Sequence, residues 1–180
     1  IAGALVGMIM GCLVVYVRLS SLVATLGAMF LIRGFLFLSS GSKSITFMEV
    51  GDHWMYNVLV GKFYGFPMQL FWAALFVVIA YYLYHRHVFG VHVHHVGDNP
   101  DSAAQMGVNV DLTRIYCFMY CGIGAGIAGI FSTLINFTWW PTQGFGFLLL
   151  AIAGVFVGGT PTWGGVGTIF GAVFGSGVIA

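Results

Sequence analysis

Long apolar runs dominate this sequence and constrain its fold more than any other feature. They follow one another from Ile1 to Ala180, and short polar stretches separate them. Only 6% of the residues are charged, against about 25% in soluble domains. A protein with so few charges cannot present most of its surface to water, so lipid must cover that surface. Because backbone groups in hydrocarbon have to bond internally, the sequence predicts an all-α protein of transmembrane helices.

The lengths of the apolar runs predict a polytopic bundle with some broken or re-entrant helices. A helix needs about 20 mostly apolar residues to cross a bilayer, and a run of about 10–14 suggests a re-entrant or buried piece. The run Phe145–Val157 is too short to cross alone, and a glycine-rich stretch separates it from an apolar helix beginning at Val166. The other expected helices are Ile1–Val17, Leu22–Leu38, Pro67–Tyr84 and Thr113–Ile135.

The two ends of the sequence both lie inside apolar runs, and the first residue is Ile1 rather than methionine. We therefore expect a single transmembrane domain over residues 1–180, truncated at both ends and part of a larger protein. The polar stretch His85–Leu112, called the connecting segment below, joins two of the predicted spans.

Basic residues indicate the orientation of the chain. If every apolar run crosses, three arginines fall on one side of the membrane and two lysines on the other. The cytoplasmic side usually carries the excess of Lys and Arg, so we expect the connecting segment to face the cytoplasm. The residues are Arg18, Arg86 and Arg114, and Lys43 and Lys62.

Two sets of glycines recur at helical spacing, one near each end of the chain. Each set places a stripe of small residues on one helix face, where another backbone can approach closely. The sets also look like one element occurring twice, and internal repeats with paired interrupted helices are typical of transporters. The glycines are Gly3, Gly7 and Gly11, and Gly167, Gly171 and Gly175.

The connecting segment contains a short helix with both ends marked. Asn99 can cap its first turn, Pro100 suits the first helical position, and Gly107 can adopt the left-handed conformation that ends a helix. Asp111 then offers an N-cap for the next span. A capped, solvent-facing helix between two spans suits docking of a soluble partner.

Three blocks of residues occur in a recognisable order along the chain. The first block consists of Phe89, Gly90, Gly97, Asn99, Ala103, Ala104, Gly107 and Val108. The second is Val23–Met29 with Arg33-Gly34, and the third is Ala151–Thr160 with Gly164–Thr168. Together they resemble the permeases of ribose-, xylose- and arabinose-type ABC importers, within the superfamily of branched-chain amino acid and sugar permeases.

This resemblance implies a multi-pass permease subunit of the bacterial inner membrane that moves a monosaccharide or similar polar solute by alternating access. It implies three protein partners: an ATP-binding cassette ATPase, a periplasmic substrate-binding protein and a second permease subunit, identical or related. In such importers a cytoplasmic loop docks into the ATPase. The residues to which that role is carried over are Gly97, Asn99, Pro100, Ala103, Ala104, Gly107 and Val108.

Departures from the family pattern bear on the substrate. The family often places a basic residue after phenylalanine-glycine, where Val91 stands here. Many members carry an acidic pair where this chain has Leu148 and Leu149. Because subfamilies differ at these positions, the carried solute stays open.

Three polar residues are candidates for the translocation path: Thr25, Arg33 and Thr160. An ionisable residue inside an apolar run is costly and often functional, although Arg33 can also snorkel to the interface or pair within the bundle. The two threonine hydroxyls can equally bond to their own helix.

Two other functions stay open. A secondary transporter or channel would share the small-residue packing and the broken helices, but an ion-coupled carrier would be expected to have acidic residues within its spans, and all five acids lie outside the apolar runs. A metal-dependent membrane enzyme would use the histidines between His85 and His95. Their spacings are mostly one or two rather than the three or four that align ligands on a helix, so we expect a solvated loop without a metal.

We expect membrane lipid to surround the protein. We expect no catalytic residue, no cofactor and no nucleic-acid partner. The stretch Gly159–Gly164 has the spacing that begins a phosphate loop, but Gly165 and Val166 stand where that loop needs a lysine and a hydroxyl. The sequence therefore predicts a transporter subunit whose ATP is hydrolysed by a separate protein.

Overall fold

A computed structural model describes residues 1–41, 43–46, 54–63, 66–161 and 166–179. These residues are predominantly helical, which confirms the predicted all-α membrane class. The helices are α1 (Ala2–Tyr16), α2 (Ser21–Ser40), α3 (Trp54–Leu59), α4 (Met68–His85), α5 (Val88–Asp98), α6 (Pro100–Gln105), α7 (Val110–Asn136), α8 (Phe147–Val157) and α9 (Ile169–Ile179).

Short strands close two of the connections between helices. Strand β1 (Ile45–Thr46) pairs antiparallel with β4 (Thr138–Trp139), which ties the stretch after α2 to the end of α7. Strand β2 (Lys62–Phe63) pairs antiparallel with β3 (Phe66–Pro67) immediately before α4. Each strand is only two residues long. Such a pairing, called a clasp below, joins two short stretches of chain without forming an extended sheet.

Within the described residues, α2, α4 and α7 are long and apolar enough to cross a membrane. The apolar surface of each is largely left uncovered by the rest of the fold: only 6% of the most apolar 18-residue window of α2 is buried, and 0% in α4 and α7. A helix can leave such a surface exposed when lipid covers it, since its backbone groups are bonded internally.

Helix α8 is too short to cross a bilayer, because its 11 residues span about 16 Å at 1.5 Å per residue, against a hydrocarbon core of about 30 Å. Helix α9 begins at Ile169 and is described as far as Ile179. They pack against each other through glycines: a Cβ on Gly175 would collide with the carbonyl oxygen of Gly154, and one on Gly171 with that of Gly158. This pairing order is antiparallel, so the two helices form a hairpin.

Helix α1 packs against α7 along its glycine stripe. A Cβ on Gly3 would collide with the carbonyl oxygen of Gly122, and one on Gly7 with that of Phe118. A Cβ on Gly11 would lie 2.9 Å from the Cα of Ile115. The stripe therefore lets two antiparallel backbones come closer than any larger residue would allow.

The chain forms two compact units. The first consists of Ile1–Trp72 and Ile115–Gln143, and it holds the α1–α7 packing and the β1–β4 clasp. The second consists of Ala73–Arg114 and Gly144–Ala180, and it holds the connecting segment and the α8–α9 hairpin.

Candidate functional site

Asn99 forms the corner between α5 and α6 in the connecting segment. Its backbone is extended, with φ −150° and ψ 104°, and its N–H donates to the carbonyl oxygen of His95 at 3.1 Å, which closes α5. Its side-chain Oδ1 accepts from the N–H groups of Asp101 at 3.0 Å and Ser102 at 3.1 Å, which opens α6. One asparagine therefore ends the first helix and caps the second.

The two ends of α6 are defined by the residues that follow Asn99 and Gln105. Pro100 occupies the first helical position, where its missing N–H costs nothing. At the other end Gly107 has φ +83°, and its N–H donates to the carbonyl oxygen of Ala104 at 3.0 Å. The N–H of Val108 donates to that of Ala103 at 3.0 Å. This pair of bonds is a Schellman motif, so hydrogen bonds close α6 at both ends.

Helix α6 buries one side and exposes the other. Ala103 is completely buried, whereas Ala104 and Gln105 are exposed and Met106 is 61% exposed. Gly97 lies in the last turn of α5, half-buried. The outer surface of α6 thus presents small and apolar groups beside Asp101 and Ser102, a mixture suited to contact with another protein surface.

The histidine-rich stretch is a helix, and the expectation of a solvated loop was wrong. His87 caps α5, with its Nδ1 accepting from the N–H of Phe89 at 3.2 Å. Phe89, Val93 and Val96 recur at spacings of four and three, which is the signal that indicates a helix with one apolar face. Histidines between these positions obscured it. Among the described residues no group of three or more His, Cys, Asp or Glu is arranged to hold a metal ion.

Close packing of α5 against α4 requires glycine at position 90, in the phenylalanine-glycine pair at the start of α5. A Cβ at this position would collide with the backbone carbonyl of Tyr84, in the last turn of α4. The residue itself is buried. Only glycine lets α5 lie directly against the end of the preceding membrane helix.

The cap of α7 was assigned to the wrong residue from sequence. The helix begins at Val110, so Asp111 lies in its first turn rather than at the cap. Asn109 takes the capping position, and its Oδ1 accepts from the N–H of Leu112 at 3.0 Å. Thr113, which is 5% exposed, donates from Oγ1 to the carbonyl oxygen of Asn109 at 2.8 Å. Asp111 remains favourable there, because an acid in the first turn complements the helix dipole.

The candidate path residues lie in different parts of the chain. In α2 of the first unit, Thr25 donates from Oγ1 to the carbonyl oxygen of Ser21 at 2.8 Å, so its hydroxyl bonds to its own helix. Arg33 is half-buried in the same helix. Thr160 belongs to the second unit and follows α8, where its methyl group lies 3.4 Å from the position of a Cβ on Gly167. Trp163, Gly164 and Gly165 of the glycine-rich block lie outside the described residues.

A family model for the permease component of branched-chain amino acid transport systems matches residues 1–180. The match covers the whole connecting segment and both glycine stripes. The chain belongs to this permease family. The resemblance seen in the sequence is thereby confirmed, and the protein is a membrane permease component.

Curated relatives of the permease align with nearly all of its sequence. The D-allose transport system permease protein AlsC of Escherichia coli K12 is 30% identical over 99% of this chain and 54% of its own length. The autoinducer 2 import system permease protein LsrC of Yersinia pseudotuberculosis is 34% identical over 98% of this chain and 49% of its own length. LsrC of Salmonella paratyphi B is 33% identical over 98% of this chain and 50% of its own.

The permease sequence spans about half the length of the curated relatives it matches. No solved structure matches it.

Proposed function

We propose that this permease forms the membrane part of an ATP-binding cassette importer for a sugar or a similar polar solute. Its multi-pass helices would lie in the bacterial inner membrane, and the solute would cross by alternating access. Support for a sugar comes from the relative named as a D-allose permease. The relative named for autoinducer 2 import widens the set of solutes to be tested.

A single observation carries the proposal: the connecting segment holds a closed helical piece, α6, between two membrane-spanning helices. Asn99 and the Schellman motif at Gly107 fix both ends of α6, while Ala104 and Met106 leave a small, apolar outer surface. A rigid helix with such a surface can be gripped and moved by a partner without unfolding. The partner we assign to it is the ATPase subunit.

The distribution of basic residues supports a cytoplasmic position for the connecting segment. Arg86 and Arg114 flank the segment, and Arg18 falls on the same side if each apolar run crosses. The excess of arginines favours the cytoplasmic side, which is where ATP is available. On the opposite side a periplasmic binding protein would deliver the solute.

A second permease subunit would complete the path. We retain residues 1–180 as one transmembrane permease domain of a larger protein, with the connecting segment at about 85–112 as its docking element. Thr25, Arg33 and Thr160 remain the candidates for the path. In this scheme the permease has no catalytic residue, and a separate subunit hydrolyses ATP.

Uptake of labelled solutes tests the proposed function. In cells that lack the full-length gene, we expect uptake of one member of a panel (D-allose, D-ribose, D-xylose, L-arabinose and autoinducer 2) to be lost, and to return with the gene. The control is a strain in which the partner ATPase is inactivated. Uptake that persists in that strain would indicate a secondary transporter, and restoration of no panel member would contradict a sugar-type cargo.

A further inference from the structure

Tyr84, in the last turn of α4, contacts two other elements of the second unit. Its hydroxyl donates a hydrogen bond to the carbonyl oxygen of Gly167 at 3.2 Å. Its ring lies 4.7 Å, centroid to centroid, from the imidazole of His94 in α5. One side chain therefore joins the connecting segment to the residues that lead into α9.

The contact with α5 is held close by the backbone. Gly90 lies so near the carbonyl of Tyr84 that no side chain would fit between them. His94 follows Gly90 by four residues, which places both on one face of α5. A displacement of α5 would therefore act on Tyr84 through both its backbone and its ring.

The contact with α9 is made at the point where that helix begins. Thr168 caps α9, since its Oγ1 accepts from the N–H of Gly171 at 3.1 Å, and Gly167 is the residue just before this cap. One turn before Tyr84 on α4, the ring of Tyr81 lies 5.4 Å from that of Phe170 in the first turn of α9. Two contacts thus hold the start of α9 to the end of α4.

We propose that Tyr84 is a positioning residue that transmits movement of the connecting segment to the start of α9. This inference rests on the proposed function, because the movement would come from the docked ATPase. Interrupted helices of transporters commonly form the solute site, and α8, which is too short to cross alone, leads into α9 through a glycine-rich stretch. Coupling needs a contact that differs between two states. A single hydrogen bond to a loop carbonyl can break and reform while both helices stay intact.

A cysteine reporter beside Gly167 measures this transmission without knowledge of the solute. Val166 is 65% exposed, and Val166→Cys would be introduced into the full-length permease after replacement of its native cysteines. The permease would be reconstituted with its ATPase, and alkylation by N-ethylmaleimide would be timed without nucleotide and with ATP plus orthovanadate. We expect the two rates to differ in the parent protein.

Removal of the Tyr84 hydroxyl should reduce that difference. We expect Tyr84→Phe to lower the ratio of the two rates about fivefold, or to one if the parent ratio is smaller. This factor corresponds to loss of one hydrogen bond worth about 1 kcal/mol. His94→Leu should lower the ratio in the same direction by removing the ring contact on the other side. The matched control is Tyr82→Phe on the same helix, whose side chain is 61% exposed and which should leave the ratio unchanged.

A second reporter separates failure of this inference from failure of the proposed function. Ser102 lies on the exposed side of α6, and the docked ATPase should protect a cysteine introduced there by Ser102→Cys from alkylation. If it is protected, while Tyr84→Phe and His94→Leu both keep the parent ratio, the transmission role of Tyr84 is wrong and docking stands. The transmission role of Tyr84 would also be overturned if Tyr82→Phe lowered the ratio of alkylation rates equally. Identical alkylation rates of Val166→Cys with and without nucleotide would overturn it as well. Without protection of Ser102→Cys, the proposed function fails and this inference fails with it.

Discussion

Replacing Gly122 with alanine is expected to destabilise the α1–α7 packing strongly, whereas the same change at Gly124 should stabilise the protein slightly. A Cβ on Gly122 would collide with the carbonyl oxygen of Gly3 and lie 3.1 Å from the Cα of Gly7. Both neighbours are backbone atoms, so no change of rotamer can relieve the contact. A Cβ on Gly124, two residues along the same helix, meets nothing within 4 Å.

The two variants should shift stability in opposite directions. Overpacking typically lowers stability by about 1–3 kcal/mol. Because the neighbours of Gly122 are rigid backbone, we expect Gly122→Ala to lower it by about 3 kcal/mol. Alanine is favoured over glycine in a helix by about 0.5–1 kcal/mol. Gly124→Ala should therefore raise the free energy of unfolding by that amount. The measurement is the thermal unfolding midpoint of the purified full-length permease in detergent. Equal shifts in the two variants would show that the glycine stripe of α1 does not pack on α7.

Replacing Ala104 with glutamate is expected to abolish co-purification with the ATPase while membrane insertion stays normal. Ala104 is exposed on α6, so a larger side chain fits the isolated permease. In the docked complex its carboxylate would be desolvated without a partner, at a cost of several kcal/mol. A loss of about 3 kcal/mol weakens binding about 100-fold. The measurement is the amount of ATPase retained on tagged, solubilised permease.

Ala104→Ser is the matched control for this substitution, because it adds a polar group that fits the same space and carries no charge. It should retain the ATPase. Gly107→Trp is a less specific variant, because φ +83° at Gly107 would strain any larger residue and disturb the end of α6 itself. Normal ATPase retention by Ala104→Glu would count against docking on α6.

The membrane-spanning helices could be predicted from sequence almost to their ends. Long apolar runs gave α2, α4 and α7, because in lipid the length of a run and the absence of charge decide the structure. The short helix α6 was also predictable, since Asn99, Pro100 and Gly107 carry the local signals of a helix start and stop. These features depend on neighbouring residues along the chain, which the sequence displays directly.

Two features of the connecting segment could not be predicted in this way. Helix α5 was missed because His92, His94 and His95 interrupt its apolar spacing, and its formation depends on burial of Gly90 and Val96. The hydrogen bond between Tyr84 and Gly167 joins residues 83 positions apart. A contact at that separation depends on how the helices pack, and no local pattern records it.

The segment from Asn99 to Gly107 must face the cytoplasm if an ATPase is to bind it. A single cysteine in place of Ser102, in the full-length permease without its native cysteines, tests this most directly. We predict that a membrane-impermeant maleimide labels it in inside-out vesicles from cells that lack the ATPase subunit, and not in intact spheroplasts of the same cells. Labelling in intact spheroplasts would place α6 on the outer side of the membrane and contradict the importer account.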